Sequence, residues 1–186
     1  MSGGPRGVRR GVCYLAGQLS KLVAAPRNGA RAALLQAARA FRQTPTNGRK
    51  RLIHRYPNWF ERGCLGGAVA KYTRERDGSI KVVNRCRRKD GSWKTITGRA
   101  TVVPGSGNAR LKVRFFGPFA GDYWIVGLDE KNFSWSLVGH PSRRFLWILS
   151  RRPRITQGLY NEIVANAVRQ GYSAEWIVPS PGSIRP

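Results

Sequence analysis

The side chains best suited to covalent or metal chemistry are few in this 186-residue sequence: three cysteines, Cys13, Cys64 and Cys86, and two histidines, His54 and His140. A zinc site draws on closely spaced cysteines and histidines. No CxxC pair occurs and no histidine clusters with the cysteines, so no metal site is expected. Nucleophilic catalysis needs a nucleophile beside a positioned base, and no Ser/His/Asp or Cys/His constellation is suggested. No catalytic residue is nominated, and no cofactor is implied. Asp129 and Glu130 read as turn formers, and the GSGN string at 105–108, with no helix after it, reads as a turn and not a phosphate loop. For the cysteines there remains pairing: Cys64 and Cys86 form either one disulfide in an oxidising compartment or two half-buried thiols, with Cys13 left over.

With reaction chemistry unsupported, binding is the remaining class, and the charge bears on it. The 34 Lys and Arg against 9 Asp and Glu give a net charge of +25. Such a field attracts phosphate-rich partners, nucleic acid or anionic membrane, and salt weakens it. Twelve of the bases precede the first acidic residue, Glu61. Residues 1–47 are rich in Arg, Ala and Gly with few large apolar groups, and read as a disordered or presequence-like segment. Three readings stay open for it: an organelle-targeting presequence, a secretory signal with a short, Gly-broken apolar run, or a mis-called or frame-shifted start. No lipid-attachment cysteine follows its small-residue box, because YLAG is followed by Gln18. No run of 18 apolar residues is present, so no membrane-spanning helix is expected.

The elements that must position any binding site lie further on. From Val69, β-rich runs alternate with turn signals every 8 to 12 residues, as in an up-and-down antiparallel sheet. AVAKYTRE, SIKVVNRC, WKTITGRATVV, ARLKVRFF, DYWIVGLD, FSWSLVG and RFLWILSR are the seven strands. Their separators include Asp77-Gly78, Asp90-Gly91, PGSGN, GPFAG, DEKN and HPSR. Ala109, Leu111, Val113 and Phe115 alternate with Arg110, Lys112 and Arg114, which predicts one apolar and one wet face. After Pro153 the period changes: Thr156 can cap a helix in which Leu159, Ile163, Val164 and Ala167 share a face up to Gly171. SAEWIV suits a short final strand, and residues 179–186 are expected to be a disordered tail. Strands followed by one helix make either a closed barrel or an open covered sheet.

The strings YPNWFERG (56–63), VVNRC (82–86), LKVRFFGPFAGDYWIVGLD (111–129) and HPSRRFLWILSRRP (140–153) resemble the lipocalins, in particular the bacterial outer-membrane members, apolipoprotein D and the plant temperature-induced members. The resemblance implies an all-β fold, an eight-stranded up-and-down antiparallel barrel over residues 48–178 with one C-terminal helix packed outside. It implies binding, storage or transport of small hydrophobic ligands such as fatty acids and lysophospholipids, in membrane maintenance or stress, at the periplasm or outer membrane. YWIVGLD with FSWSLVG resembles the second family motif, and Arg151 matches the structural arginine of the third. The first motif, GxW, is missing: with Gly48 on its glycine, Lys50 stands where the tryptophan belongs and Arg51 where an aromatic is usual. Arg151 then loses a cation–π partner worth on the order of 0.5–2 kcal/mol. The first strand is therefore expected to be degenerate, that is short, irregular or frayed, and a frame slip upstream of about residue 52 would account for it.

In an up-and-down barrel successive turns fall at alternate ends, so YPNWFERG, RRKDGS, FFGPFAG and GHPSRR share the open rim. That rim should carry Trp59, Phe60, Phe116 and Phe119 with Arg62, Lys89, Arg143 and Arg144, a combination suited to an anionic amphiphile or an anionic membrane surface. Cys64 and Cys86 should approach each other there. Alternation nominates Val113, Phe115, Tyr123, Ile125, Trp135, Leu137, Phe145 and Trp147 for the calyx interior. The alternatives are a basic RNA-binding or ribosome-associated protein, or a defective lipocalin lacking its first strand. Monomer and homodimer both stay open.

Overall fold

Pairing of neighbouring strands runs through the chain from residue 48 to residue 150. In the computed structural model, which describes residues 48–59 and 61–180 and the backbone of Ile184–Arg185, eight strands follow in order. They are β1 (Gly48–Arg55), β2 (Gly66–Arg74), β3 (Ile80–Arg87), β4 (Trp93–Val102), β5 (Arg110–Phe116), β6 (Phe119–Leu128), β7 (Trp135–Gly139) and β8 (Leu146–Ser150). Each pairs antiparallel with the next, and β1 also pairs with β8, so the sheet closes on itself as the expected eight-stranded barrel. Closure removes the exposed strand edges that an open sheet would leave.

The turns have local causes. Asp77 and Asp90 each accept a backbone hydrogen bond of 2.9 Å, from Ser79 and Ser92. Gly78 and Gly91 beside them take φ of 81° and 77°, a left-handed conformation that costs glycine little because it has no Cβ. At the other kind of turn, Asp129 accepts from the backbone of Lys131, Asn132 and Ser134. That is the turn-forming role expected of it.

The first strand is irregular, as one of the expected alternatives had it, but neither short nor frayed. β1 is eight residues long and is paired on both sides, Gly48 to Arg51 against β2 and Arg51 to Arg55 against β8. Its irregularity is confined to a register shift between Leu52 and His54. The pleat explains why three consecutive bases are tolerated: Arg49 and Arg51 project outward, and Lys50 alone projects into the barrel.

After β8, a two-residue strand β9 (Ile155–Thr156) leads into helix α1 (Gln157–Arg169). Thr156 is the expected cap, its side chain accepting from the Leu159 backbone at 3.3 Å. Ile163 and Ala167 are buried against the outer surface of the barrel, in a core shared with Ile53, Val126, Leu137, Leu146 and Ile148. A second core, Ile80, Val82, Ala100, Leu111 and Val113, fills part of the barrel interior. The SAEWIV segment forms a 3-10 turn (Ala174–Trp176) before β10 (Val178–Pro179), which pairs with β1. The residues expected to form a disordered tail are partly paired: Pro179 lies opposite His54, and β11 (Ile184–Arg185) runs parallel to β9. Residues 1–47, with Cys13, lie outside the described residues.

Candidate ligand calyx and its rim

Register decides which side chains face the lumen, because paired residues in a ladder share a face. Starting from the barrel-interior core, Ala100 is opposite Val113, Val102 opposite Leu111, and Leu111 opposite Tyr123. Ile125 is opposite Val138 and Val138 opposite Trp147. Val113, Phe115, Tyr123, Ile125 and Trp147 therefore line the interior, and Phe145 stacks on Trp147 with ring centroids 6.0 Å apart. Gly98 leaves room for this lining, since a Cβ there would lie 2.6 Å from the Phe115 ring.

Two of the nominated calyx residues face the other way. Leu137 pairs with Ile148 and belongs to the core beneath α1, with Trp135 packed against it. Ser136 and Val138 take the inward positions of β7. The cause is that α1 buries the outer face of this strand, so both faces are apolar and simple alternation is lost.

The lumen is not purely apolar. Tyr72 of β2 and Tyr123 of β6 meet across it with hydroxyls 2.8 Å apart, and burial pushes the Tyr72 hydroxyl up to about 12. Lys50 Nζ donates to Ser136 Oγ at 2.9 Å. Burial first, and then the neighbouring Arg151 guanidinium, lower the Lys50 ammonium to about 8. The Arg151 guanidinium lies 3.7 Å from where a Gly48 Cβ would stand, and its Nε donates to the Phe133 carbonyl at 3.0 Å. Thus Arg151, itself exposed, lies at this end of the barrel near Gly48 and Lys50, the latter standing where the family has an aromatic. Asn84 Oδ1 is buried without a hydrogen-bond partner among the described residues.

At the mouth, the loop after β1 folds over the barrel. Glu61 pairs with Arg55 Nε at 2.7 Å and accepts from Trp147 Nε1 at 3.1 Å and from Asn58 Nδ2 at 3.0 Å. Cys64 and Cys86 are joined by a disulfide with Cα atoms 5.6 Å apart, which ties this loop to the end of β3. Trp59, Phe116 and Phe119 are 70%, 68% and 82% exposed, and exposed Leu65 and Trp93 stand at the same end. Arg62, Lys89 and Arg144 are exposed around them. Arg143 is drawn off the mouth: at φ 59°, it brings its guanidinium within 2.8 Å of a Cβ position at Gly171, past the end of α1. Phe60 lies outside the described residues.

Reading the sequence alone overlooked Arg55, Glu61, Tyr72, Asn84 and the inward role of Lys50. Glu61 carried a signal, as the first acidic residue after a long basic stretch. Among the described residues, no three His, Cys, Asp or Glu side chains gather in a group able to hold a metal ion.

Comparison with known proteins agrees with this geometry. The lipocalin-like domain family matches residues 47–181. The chain is 39% identical over 135 residues to the outer membrane lipoprotein Blc of Escherichia coli K12, covering 70% of this chain and 75% of that protein. It is 34% identical over 147 residues to temperature-induced lipocalin-1 of Arabidopsis thaliana, covering 75% and 78%. Among solved structures, lobster apocrustacyanin A1 superposes with a TM-score of 0.61 at 14% identity, over 78% of this chain and 84% of that one.

Proposed function

The chain belongs to the lipocalin-like family, and from that premise we propose that it binds a small hydrophobic ligand in its barrel, the ligand being a single-chain amphiphile such as a fatty acid or lysophospholipid. The observation that carries this reading is the set of inward-facing apolar side chains, Val113, Phe115, Ile125 and Trp147, at whose mouth end Trp59, Phe116 and Phe119 stand exposed. Each methylene removed from water contributes roughly 0.8 kcal/mol, so chain length sets affinity. The cations of the mouth speed encounter and orient an anionic or zwitterionic head. The protein is a carrier and not an enzyme, with lipid as its partner.

The same exposed aromatics and cations suit transient docking of the mouth onto an anionic bilayer, where aromatic side chains favour the interface. The similar bacterial proteins are named outer membrane lipoproteins, which supports a periplasmic or outer-membrane setting and a role in membrane maintenance. A disulfide between Cys64 and Cys86 suits an oxidising compartment. Against the RNA-binding alternative, the exposed Trp93 ring already carries the Arg85 and Arg87 guanidinium groups at 4.8 and 4.6 Å, so it is poorly placed to stack a base.

Titration followed by Trp147 fluorescence tests the reading, with lysophospholipid, fatty acid, cholesterol and an RNA oligomer as ligands. Saturable binding of the single-chain lipids, tightening with chain length and weakening only modestly with salt, is expected. Saturable binding to RNA alone, with a steep salt slope, overturns it.

A further inference from the structure

Lys50 is a half-buried, inward-facing cation with no carboxylate partner among the described residues. Its hydrogen-bond partner is a neutral hydroxyl, Ser136 Oγ at 2.9 Å, and the charged group acting on it is another cation, Arg151. The acid nearest the lumen in function, Glu61, is committed at the mouth to Arg55, Trp147 and Asn58. A partly buried charge in this state is costly, and an anion brought to it would recover part of the cost. The rim arginines, in contrast, sit in water, where an ion pair contributes little.

The position of Lys50 fits a ligand's end group. It shares the inward face with Leu52, which is opposite Leu149, and Leu149 is opposite Ser136. On its other side it is opposite Ala70, and Ala70 is opposite Asn84, whose buried Oδ1 has no hydrogen-bond partner among the described residues. Polar groups from β1, β3 and β7 therefore stand on the inward face, beside the apolar walls described above.

We propose that Lys50 is an anion subsite inside the calyx, and that it holds the carboxylate of a free fatty acid inserted head first, with the hydrocarbon chain running toward the aromatic mouth. This rests on the calyx-binding reading and adds to it a ligand class and an orientation. A lysophospholipid, with its larger head group, has no such seat and keeps its head at the rim.

The subsite has its own signature in pH. Lys50 loses its proton at about pH 8 in the free protein. The other ionisable groups around it are Arg151 at the base and the paired Tyr72 and Tyr123 of β2 and β6, both raised by burial. Affinity for a carboxylate should therefore fall above pH 8 and level off once the preference supplied by the charge is lost, whereas rim arginines would leave it level over that range.

The test compares dodecanoate with 1-dodecanol, binding each to the full chain and to Lys50→Met and Lys50→Gln. The wild type should prefer the acid at pH 7 by about tenfold or more, one charged pair being enough for that ratio. Both variants should bring the ratio near one while still binding the alcohol, and both should lose the fall above pH 8. If acid and alcohol bind but the ratio survives in both variants, and disappears instead in Arg62→Gln/Arg144→Gln, the head lies at the rim and the subsite is overturned while the carrier stands. If neither ligand binds the wild type, the carrier reading falls as well. Lys50→Gln keeps the side chain polar and of similar girth, so the comparison survives if Lys50→Met fails to fold.

Discussion

Glu61 and Trp147 are joined through a 3.1 Å hydrogen bond from the indole Nε1 to the carboxylate, and this bond fastens the loop after β1 to the eighth strand. The same carboxylate holds Arg55, so one side chain links two strands and the loop across the mouth. Glu61→Gln should weaken both contacts and cost about 1–3 kcal/mol, the range for a charged hydrogen-bonded group. Urea denaturation gives the loss, and a red shift of tryptophan emission should accompany it. Unchanged stability would mean that solvent replaces these bonds at no cost.

His54 is buried beside Tyr160, ring centroids 4.4 Å apart, and desolvation lowers its imidazole from 6.5 to about 4. Unfolded chains then bind more protons than folded ones between those values. Stability should be full above about pH 6.5 and decline as pH falls toward 4, by up to roughly 3 kcal/mol. His54→Phe, which keeps a ring against Tyr160, should flatten that slope. An equally steep slope in the variant would assign the acid sensitivity to other groups.

Lys50 acts with the same sign in a different window. Its ammonium is lowered from 10.5 to about 8, so the folded protein carries the penalty in full below pH 8 and sheds it as pH rises toward 10.5. Lys50→Met should therefore be more stable than the wild type at pH 7, by on the order of 2–3 kcal/mol, with the gap closing by pH 10.5. Thermal melts at both pH values measure it. A variant less stable than the wild type at pH 7 would show that the bond to Ser136 outweighs the desolvation.

The Cys64–Cys86 disulfide spans a sequence separation of 22. Closing a loop of that size contributes about 3 kcal/mol by restricting the unfolded chain. The double variant Cys64→Ser/Cys86→Ser should lose close to that amount, and the loop after β1 should gain hydrogen exchange while β5 stays protected. Loss of protection throughout the barrel would mean that the disulfide holds the whole fold and not only its mouth.

Much of this was legible in the residues because one physical condition held: a strand with one wet face and one dry face writes alternation into its sequence. Ala109 to Phe115 meets that condition, and Val113 and Phe115 point where alternation says they should. β7 does not meet it. With α1 covering its outside, Trp135 and Leu137 are as apolar as the inward Val138, and only pairing to β8 reveals the direction. Lys50 was harder still, because a lysine in a barrel strand looks like a defect until its amine is seen bonded to Ser136. Glu61 and Arg55 are far from Trp147 in sequence, and nothing local announces that the three converge.

The seam where β1 leaves β2 has a consequence for how the chain is made. β2 accompanies β1 only through Arg51, and beyond the register shift β10 takes up His54 and Arg55. The earliest strand of the barrel is thus completed by the latest, and its other neighbour, β8, also comes late. On the ribosome, β1 must wait for nearly the entire chain before either of those partners exists. Contacts so distant in sequence make folding slow, and a strand edge left unpaired for that time invites association with other chains. Arg49 and Arg51, outward on that waiting strand, place on it the kind of charge that disfavours edge-to-edge pairing.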